Sequence, residues 1–366
     1  DFDKSHDYST ETKVFKAKAQ AFVNIMKGCD KFCTYCIVPY TRGREKSRTI
    51  DEVLADIARL VATGVREVTL LGQNVNSFGK GNPNTAAREP KELHNIIGKV
   101  GPREGEENFP QLLRAMDADP RLAKLERIRF TSSHPLDFSD ELIDCYRPTS
   151  QGGVAKLAEH LHLPVQSGSN RILQKMGRHH RLEGYVEQMR RLREINPAVG
   201  LTTDLIVGFP SETEEDFQET LKLLDTVQYD SVYAFAYSER PGTRASKLVD
   251  DVPLAEKNSR LNRLLDHQRA ISAVRNAALV GTTKQILVEG LAKHQNLTEG
   301  LTRATQAWRG YSSCFRVVNF ASDSPRPLTG QVVTVKITAA SSLALKGELT
   351  HDPLWSEYKF SDEGTA

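Results

Sequence analysis

The stretch Gly28–Arg48, GCDKFCTYCIVPYTRGREKSR, decides how the rest of the chain is read. It sets Cys29, Cys33 and Cys36 in a C-x3-C-x2-C spacing directly after the apolar segment AFVNIM. That segment predicts a strand running into a loop, which puts three thiols at a strand's C-terminal end. Three thiolates can hold three irons of a [4Fe–4S] cluster and leave the fourth iron free. An open ligand position is the mark of a catalytic metal site. Zinc is the alternative, and it needs a fourth Cys or His nearby. The nearest histidines, His6 and His94, are far off in sequence.

The other two cysteines, Cys145 and Cys314, stand alone and read as small buried hydrophobes. An odd, clustered set of five is a poor disulfide framework and suits a reducing, cytoplasmic compartment. The 366 residues are 39% apolar and 26% charged, near the values for ordinary soluble proteins. No apolar run approaches the ~18 to 20 residues needed to span a bilayer, so no membrane partner is expected. The net charge of +2 excludes a uniformly basic coat but not a local basic patch.

Working outward, RTIDEVLADIARLVATG predicts a helix, with Ile50, Val53, Leu54, Ile57 and Val61 at helical spacing. Thr49 with Glu52 forms a capping box, and Gly64 sits where a left-handed C-terminal residue belongs. REVTLLGQN, RIRFTSSHP, HLHLPVQSG, GLTTDLIVGFP and SVYAFAYSERPG then read as five further strands. One or two helices fit between the fourth and fifth strands, and EEDFQETLKLLDTV is a helix before the sixth. Six such units predict a parallel sheet with right-handed crossovers, a partial barrel short of the closed eight. The segment Gly79–Asn108, rich in Gly, Asn, Pro and Glu, interrupts this rhythm as a mobile insertion. From Thr282 onward, short apolar runs split by polar turns predict a small antiparallel barrel.

The cysteine loop placed on this pattern resembles the radical S-adenosylmethionine (SAM) superfamily. The segments LLGQNVNSFG, HLPVQSGSNRILQKM, TDLIVGFPSETEEDF and YSERPGT narrow the resemblance to the MiaB-type tRNA methylthiotransferases. It runs from about Ala21 to about Leu349. It implies a partial (β/α)6 radical SAM barrel at 21–250, a helical connector at 251–280 and an RNA-binding TRAM barrel at 281–350. Residues 1–20 then read as a linker from a missing N-terminal domain, and 351–366 as a tail. That missing domain would carry a second, auxiliary [4Fe–4S] cluster tied to sulfur insertion.

The resemblance implies that Cys29, Cys33 and Cys36 are the catalytic metal ligands, with the open iron chelating SAM. An electron from the cluster, supplied by a donor such as flavodoxin or ferredoxin, would cleave SAM to a 5′-deoxyadenosyl radical. It also implies SAM contacts from Tyr35 beside adenine, from Gly72, Gln73 and Asn74 on the amino group, and from Gln166 and Ser167. Tyr35 fits plain packing equally well. Amide oxygens and carbonyls suit an ammonium, although GQN replaces the more usual acidic motif. Asp204 in an apolar strand is costly to bury alone, so it reads as ligand-facing or salt-bridged to an arginine.

Phosphate contacts need local positive charge. Arg42, Arg44, Lys46 and Arg48 follow the cysteine loop, opposed only by Glu45. Seven Lys/Arg against two glutamates between Arg171 and Arg193 form a weaker candidate, because charge runs on helices are usually solvated faces. In the terminal module Arg303, Trp308 and Arg309 interleave cations with an aromatic ring, as RNA would require. Trp308 and Tyr311 fit the barrel's interior equally well. The implied function is methylthiolation at C2 of N6-isopentenyladenosine-37 in the tRNA anticodon loop. Alternatives are a related enzyme acting on threonylcarbamoyladenosine or a ribosomal protein, and a non-catalytic iron–sulfur RNA-binding fragment.

Overall fold

A computed structural model describes residues 19–79, 107–293, 305–324 and 326–351. Most of the anticipated insertion, residues 80–106, lies outside them.

Six strands, β1 (Gln20–Asn24), β2 (Glu67–Leu71), β3 (Arg127–Phe130), β4 (His160–His162), β5 (Gly200–Val207) and β6 (Ser231–Ala236), correspond to the six expected. They form two three-stranded sheets in sequence order, and every pairing within them is parallel. Between β3 and β4 the ladder shrinks to the bridge Ile128–Leu157, with the Ile128 amide on Lys156 O at 2.7 Å. The strands alternate as a period of two demands. Val23, Val68, Leu70, Ile128, Leu161, Leu201 and Leu205 join the main core, while Phe22, Thr69, Arg129 and Asp204 take the opposite, lumenal face.

Helices α1 (Ile50–Ala62), α2 (Phe109–Ala118), α4 (Leu182–Ile195) and α5 (Glu214–Val227) cover the outer face, while the short α3 (Asn170–Lys175) packs in a separate cluster beside Tyr35. The Thr49–Glu52 capping box forms as expected, and Gly64 adopts φ +100° after the helix. The expected connector is α6 (Leu254–Ala277). Its Leu264 and Ile271 enter the core, and Gln268 Nε2 donates to Tyr229 O at 2.8 Å. It therefore walls the sheet beside β6.

The terminal strands β7 (Thr283–Leu291), β8 (Gln306–Ser312), β9 (Val317–Ser322), β10 (Val332–Ala340) and β11 (Leu345–His351) close a barrel in the order β8-β9-β11-β10-β7. Four seams are antiparallel as expected; the β9–β11 seam is parallel. Ile286, Val288, Val318, Phe320, Val333, Val335 and Ile337 fill it.

The β8–β9 turn of this barrel docks under the N-terminal ends of the parallel strands. Arg129 donates to Ser312 O at 2.7 Å and Ser313 O at 2.9 Å, and its guanidinium lies 5.0 Å from the Phe315 ring centre. Phe315, held at φ +64°, stacks on His160 and Tyr311 at 4.7 and 5.0 Å. The two arginines Arg127 and Arg129 share the buried Glu67 carboxylate, each at 3.1 Å. An aromatic plug thus closes the floor of the lumen. Both lone cysteines are buried, as expected, Cys314 in this plug and Cys145 in the main core.

Replacing Arg129 by Met should lower stability by about 3 kcal/mol, because Glu67 loses one of its two cations and two carbonyls lose their donors. Urea unfolding would measure the loss, and limited proteolysis should cut first between the two barrels.

Candidate functional site

The cysteine loop crosses the opposite end of the lumen, at the C-terminal ends of the strands. Four sets of contacts fold it there. The Cys29 amide donates to Gly43 O at 3.2 Å, and Gly28, at φ +78°, brings the chain so close to Arg44 O that a Cβ would lie 2.0 Å from it. Only glycine fits that approach. The Gly28 amide donates to Gln73 Oε1 at 2.6 Å, which ties the loop to the end of β2. Thr34 pairs with the end of α3, its amide on Met176 O at 2.8 Å and its hydroxyl on Lys175 O at 2.9 Å. Finally the Ala245 amide donates to Thr34 O at 2.8 Å.

Cys29 and Cys36 both feel the neighbouring thiols. Burial first, then the Glu45 carboxylate and the other two thiols, push Cys29 up to about 12, although the Lys31 amide pulls the other way. Cys36 is raised as well, chiefly by burial. Among the described residues, no three His, Cys, Asp or Glu groups converge tightly enough to hold a single metal ion. A four-iron cube needs a wider triangle, because each thiolate takes a different iron. The chemistry of the donor set, three thiols in one loop, fits three irons of such a cluster.

Around the loop lies a buried polar knot. Asn74 Nδ2 donates to Glu45 Oε1 at 3.1 Å and to Asp137 Oδ2 at 2.8 Å, and Ser77 Oγ donates to Glu45 Oε2 at 2.9 Å. Lys31 Nζ sits 2.6 Å from Asp137. Burial pushes the Glu45 carboxyl up, against the pull of Lys31. Burial also opposes the Lys31 charge, but Asp137 and Glu45 outweigh it and raise its pKa. Asn74 Oδ1 remains buried with no donor. An orphaned acceptor at the end of β2 fits the ammonium of SAM.

The expected SAM contacts divide accordingly. Gly72 serves close packing, since a Cβ there would lie 2.4 Å from Met26 Cγ. Gln73 spends its amide oxygen on Gly28, so for this residue a structural bond replaces the expected ligand contact. Ser167 is fully buried, its hydroxyl accepting from the Ser169 amide at 3.2 Å, which also turns it inward. Gln166 and Asp204 are neighbours across β4 and β5, joined by the Gln166 amide on Asp204 O at 2.9 Å. Gln166 has φ +78°, a left-handed conformation that non-glycine residues hold mainly where function demands it. Asp204 keeps 31% of its side chain exposed and pairs with His162 Nε2 at 3.4 Å, where an arginine was the expected partner. Tyr35 packs beside Ile206 against Ile172, Met176, Phe209, Tyr237 and Ala245, an apolar wall suited to a purine face.

The expected RNA contacts come apart. Arg42 and Arg44 are exposed at the mouth, with Arg44 held 3.0 Å from Asp30 and over the Phe32 ring. Arg48 is withdrawn: its guanidinium donates to Asn24 O, Glu52 O and Asp56, clamping the loop onto α1. Trp308 is 3% exposed inside the terminal barrel, so it packs a core and offers no face to a base. Arg309 bonds Tyr311 OH at 2.8 Å on the floor side, at the far end of the lumen from Arg42. Arg303 lies outside the described residues.

Sequence reasoning missed Arg178, which it grouped with a charge run. The side chain is buried, and Nη1 points at Cys33 Sγ, 3.7 Å away, while Nη2 donates to Pro164 O. Its place after Gly177, itself at φ +66° and ending α3, was the available signal. His134 and His180, also beside it, are kept neutral, His134 well below its ordinary value and His180 at about 3, by burial and then by the Arg178 charge.

Known proteins share this arrangement in sequence. The model for the radical SAM superfamily matches residues 23–224. A tRNA-2-methylthio-N(6)-dimethylallyladenosine synthase of Syntrophobacter fumaroxidans is 44% identical over 91% of this chain and 64% of its own length. One of the same name from Syntrophomonas wolfei is 43% identical over 92% of this chain and 67% of its own. The chain thus spans about two thirds of the length of these relatives. Among solved structures, coproporphyrinogen III oxidase from Escherichia coli aligns over 90% of this chain and 71% of its own at 14% identity and a TM-score of 0.46. With its three cysteines gathered at the mouth of a six-stranded parallel barrel, the chain belongs to the radical SAM superfamily.

Proposed function

We propose that this chain forms the SAM-cleaving part of a tRNA methylthiotransferase, which replaces the C2 hydrogen of N6-isopentenyladenosine-37 by a methylthio group. The supporting observation is the cysteine loop at the barrel mouth, flanked by the orphaned Asn74 acceptor and the Gln166–Asp204 pair. The 44% identity to a relative named for that modification points to the substrate.

When bound, the cluster and SAM supply a carbon radical strong enough to take hydrogen from an unactivated C–H bond. The chain's own residues do the positioning. Cys29, Cys33 and Cys36 present three thiolates. Asn74 Oδ1 accepts from the SAM ammonium, and Gln166 and Asp204 offer acceptors for its ribose hydroxyls. Tyr35 and its apolar neighbours flank the adenine and exclude water. Phe315, stacked on His160 and beneath Arg129, stands at the floor of the lumen. Arg42 and Arg44 stand at the mouth, where an anticodon loop with an unstacked base would enter. A reductant is the other partner required.

Reconstituted anaerobically with iron and sulfide, the chain should turn SAM over to 5′-deoxyadenosine on reduction, read by liquid chromatography. A loaded cluster without that product would sink the reading at its first step. In the complete protein, nucleoside mass spectrometry should find the 2-methylthio product; SAM cleavage without it would remove the substrate assignment.

Cluster loading should also depend on pH in a definite direction. The Cys29 thiol, pushed up to about 12, must lose its proton to bind iron. Affinity should fall as pH falls, by about tenfold per unit for each proton released. Iron retention against a chelator across neutral pH would show it, and a flat profile would contradict it.

A further inference from the structure

Arg178 is a buried cation without a counter-ion. Its guanidinium lies against Cys33, Tyr35 and Pro164, and Nε has no partner. Among the described residues no carboxylate pairs with it. The other titratable groups around it are His134 and His180, kept neutral by burial, and the thiols of Cys29 and Cys36. A buried charge persists only when something compensates it.

The missing charge is an anion at Cys33. Three thiolates on a [4Fe–4S]2+ core carry a net charge of about −1, and one-electron reduction makes it about −2. We propose that Arg178 is the positioning residue that supplies the counter-charge to the cluster through an N–H···S bond to Cys33, and so sets its reduction potential. A fixed positive charge favours the more negative, reduced state, and hydrogen bonds to ligand sulfur act in the same direction. Arg178 therefore makes the cluster easier to reduce. It does so from a rigid seat, because the short helix α3 and Gly177 place it and the Pro164 carbonyl fixes its second amino group. The inference rests on the three-cysteine cluster assigned above and does not depend on the tRNA substrate.

The test uses the reconstituted chain without SAM and compares Arg178→Gln and Arg178→Lys with the parent. The midpoint potential of the cluster is read by mediator titration followed by electron paramagnetic resonance. The Gln variant should shift to a more negative potential, with the Lys variant between it and the parent. A Gln variant that loses its cluster while the Lys variant keeps it would support the same charge requirement. A fully loaded Gln variant with the parent's potential would overturn the proposal, and would leave Arg178 a role toward SAM alone. Loss of the cluster from both variants would overturn it too, since Lys retains the charge. A parent chain that shows no [4Fe–4S] signal would instead refute the cysteine assignment itself.

Discussion

The bond from the Gly28 amide to Gln73 Oε1 ties the start of the cysteine loop to the parallel sheet, and the contacts around it hold the rest. A loop of twenty or so residues pays a large conformational cost to be held in one shape, and three thiols cannot share a cluster unless that cost is met. The loop meets it at both ends. Gln73 and the Glu45–Asn74–Asp137 knot hold its β2 side, while Thr34 and Arg178 hold the side toward α3. Two of the residues that look like ligand contacts in the sequence, Gln73 and Asn74, are drawn into this bracing. Asn74 does both jobs because an amide has two ends: its nitrogen braces and its oxygen stays free.

The terminal barrel takes on meaning from where it docks. Its β8–β9 turn inserts beneath the N-terminal ends of the strands, so its aromatics Tyr311 and Phe315 complete the lumen floor. Its contribution near the catalytic barrel is closure, on the face opposite the cysteines. Any RNA that touches both its outer surface and Arg42 must reach around the molecule. The aromatic turn and the cysteine loop therefore stand at opposite ends of one axis. The buried Glu67 with two arginines is the joint between the two barrels, and the arginines' remaining N–H groups find their carbonyl acceptors on the terminal barrel.

Much of this was legible in the chain. Hydrophobic alternation and caps marked the six strands and α1, because these signals are local and each strand buries one face. The three cysteines declared themselves by spacing. The roles of Arg48, Trp308 and Arg178 did not, because an arginine in a charge run looks the same whether it meets water, a carboxylate or a thiol. The parallel β9–β11 seam was hidden for a related reason: short strands separated by turns suggest hairpins, and only closure of the barrel brings in the non-sequential pairings β9–β11 and β7–β10.

By itself the sequence determined the order of the six parallel strands, the grouping of three cysteines in one loop and the burial of the two lone cysteines. These depend on periodicity and spacing within a few residues, which the chain carries wherever it goes. Tertiary structure alone decided which polar side chains brace and which stay free for a ligand, and it seated an unpaired guanidinium beside Cys33. It also turned a surface-looking aromatic turn into a floor. Those outcomes join residues far apart in the chain, Asn74 with Asp137, Arg178 with Cys33 and Arg129 with Ser312. Desolvation and charge act through distance in space, and that distance exists only once the chain has folded.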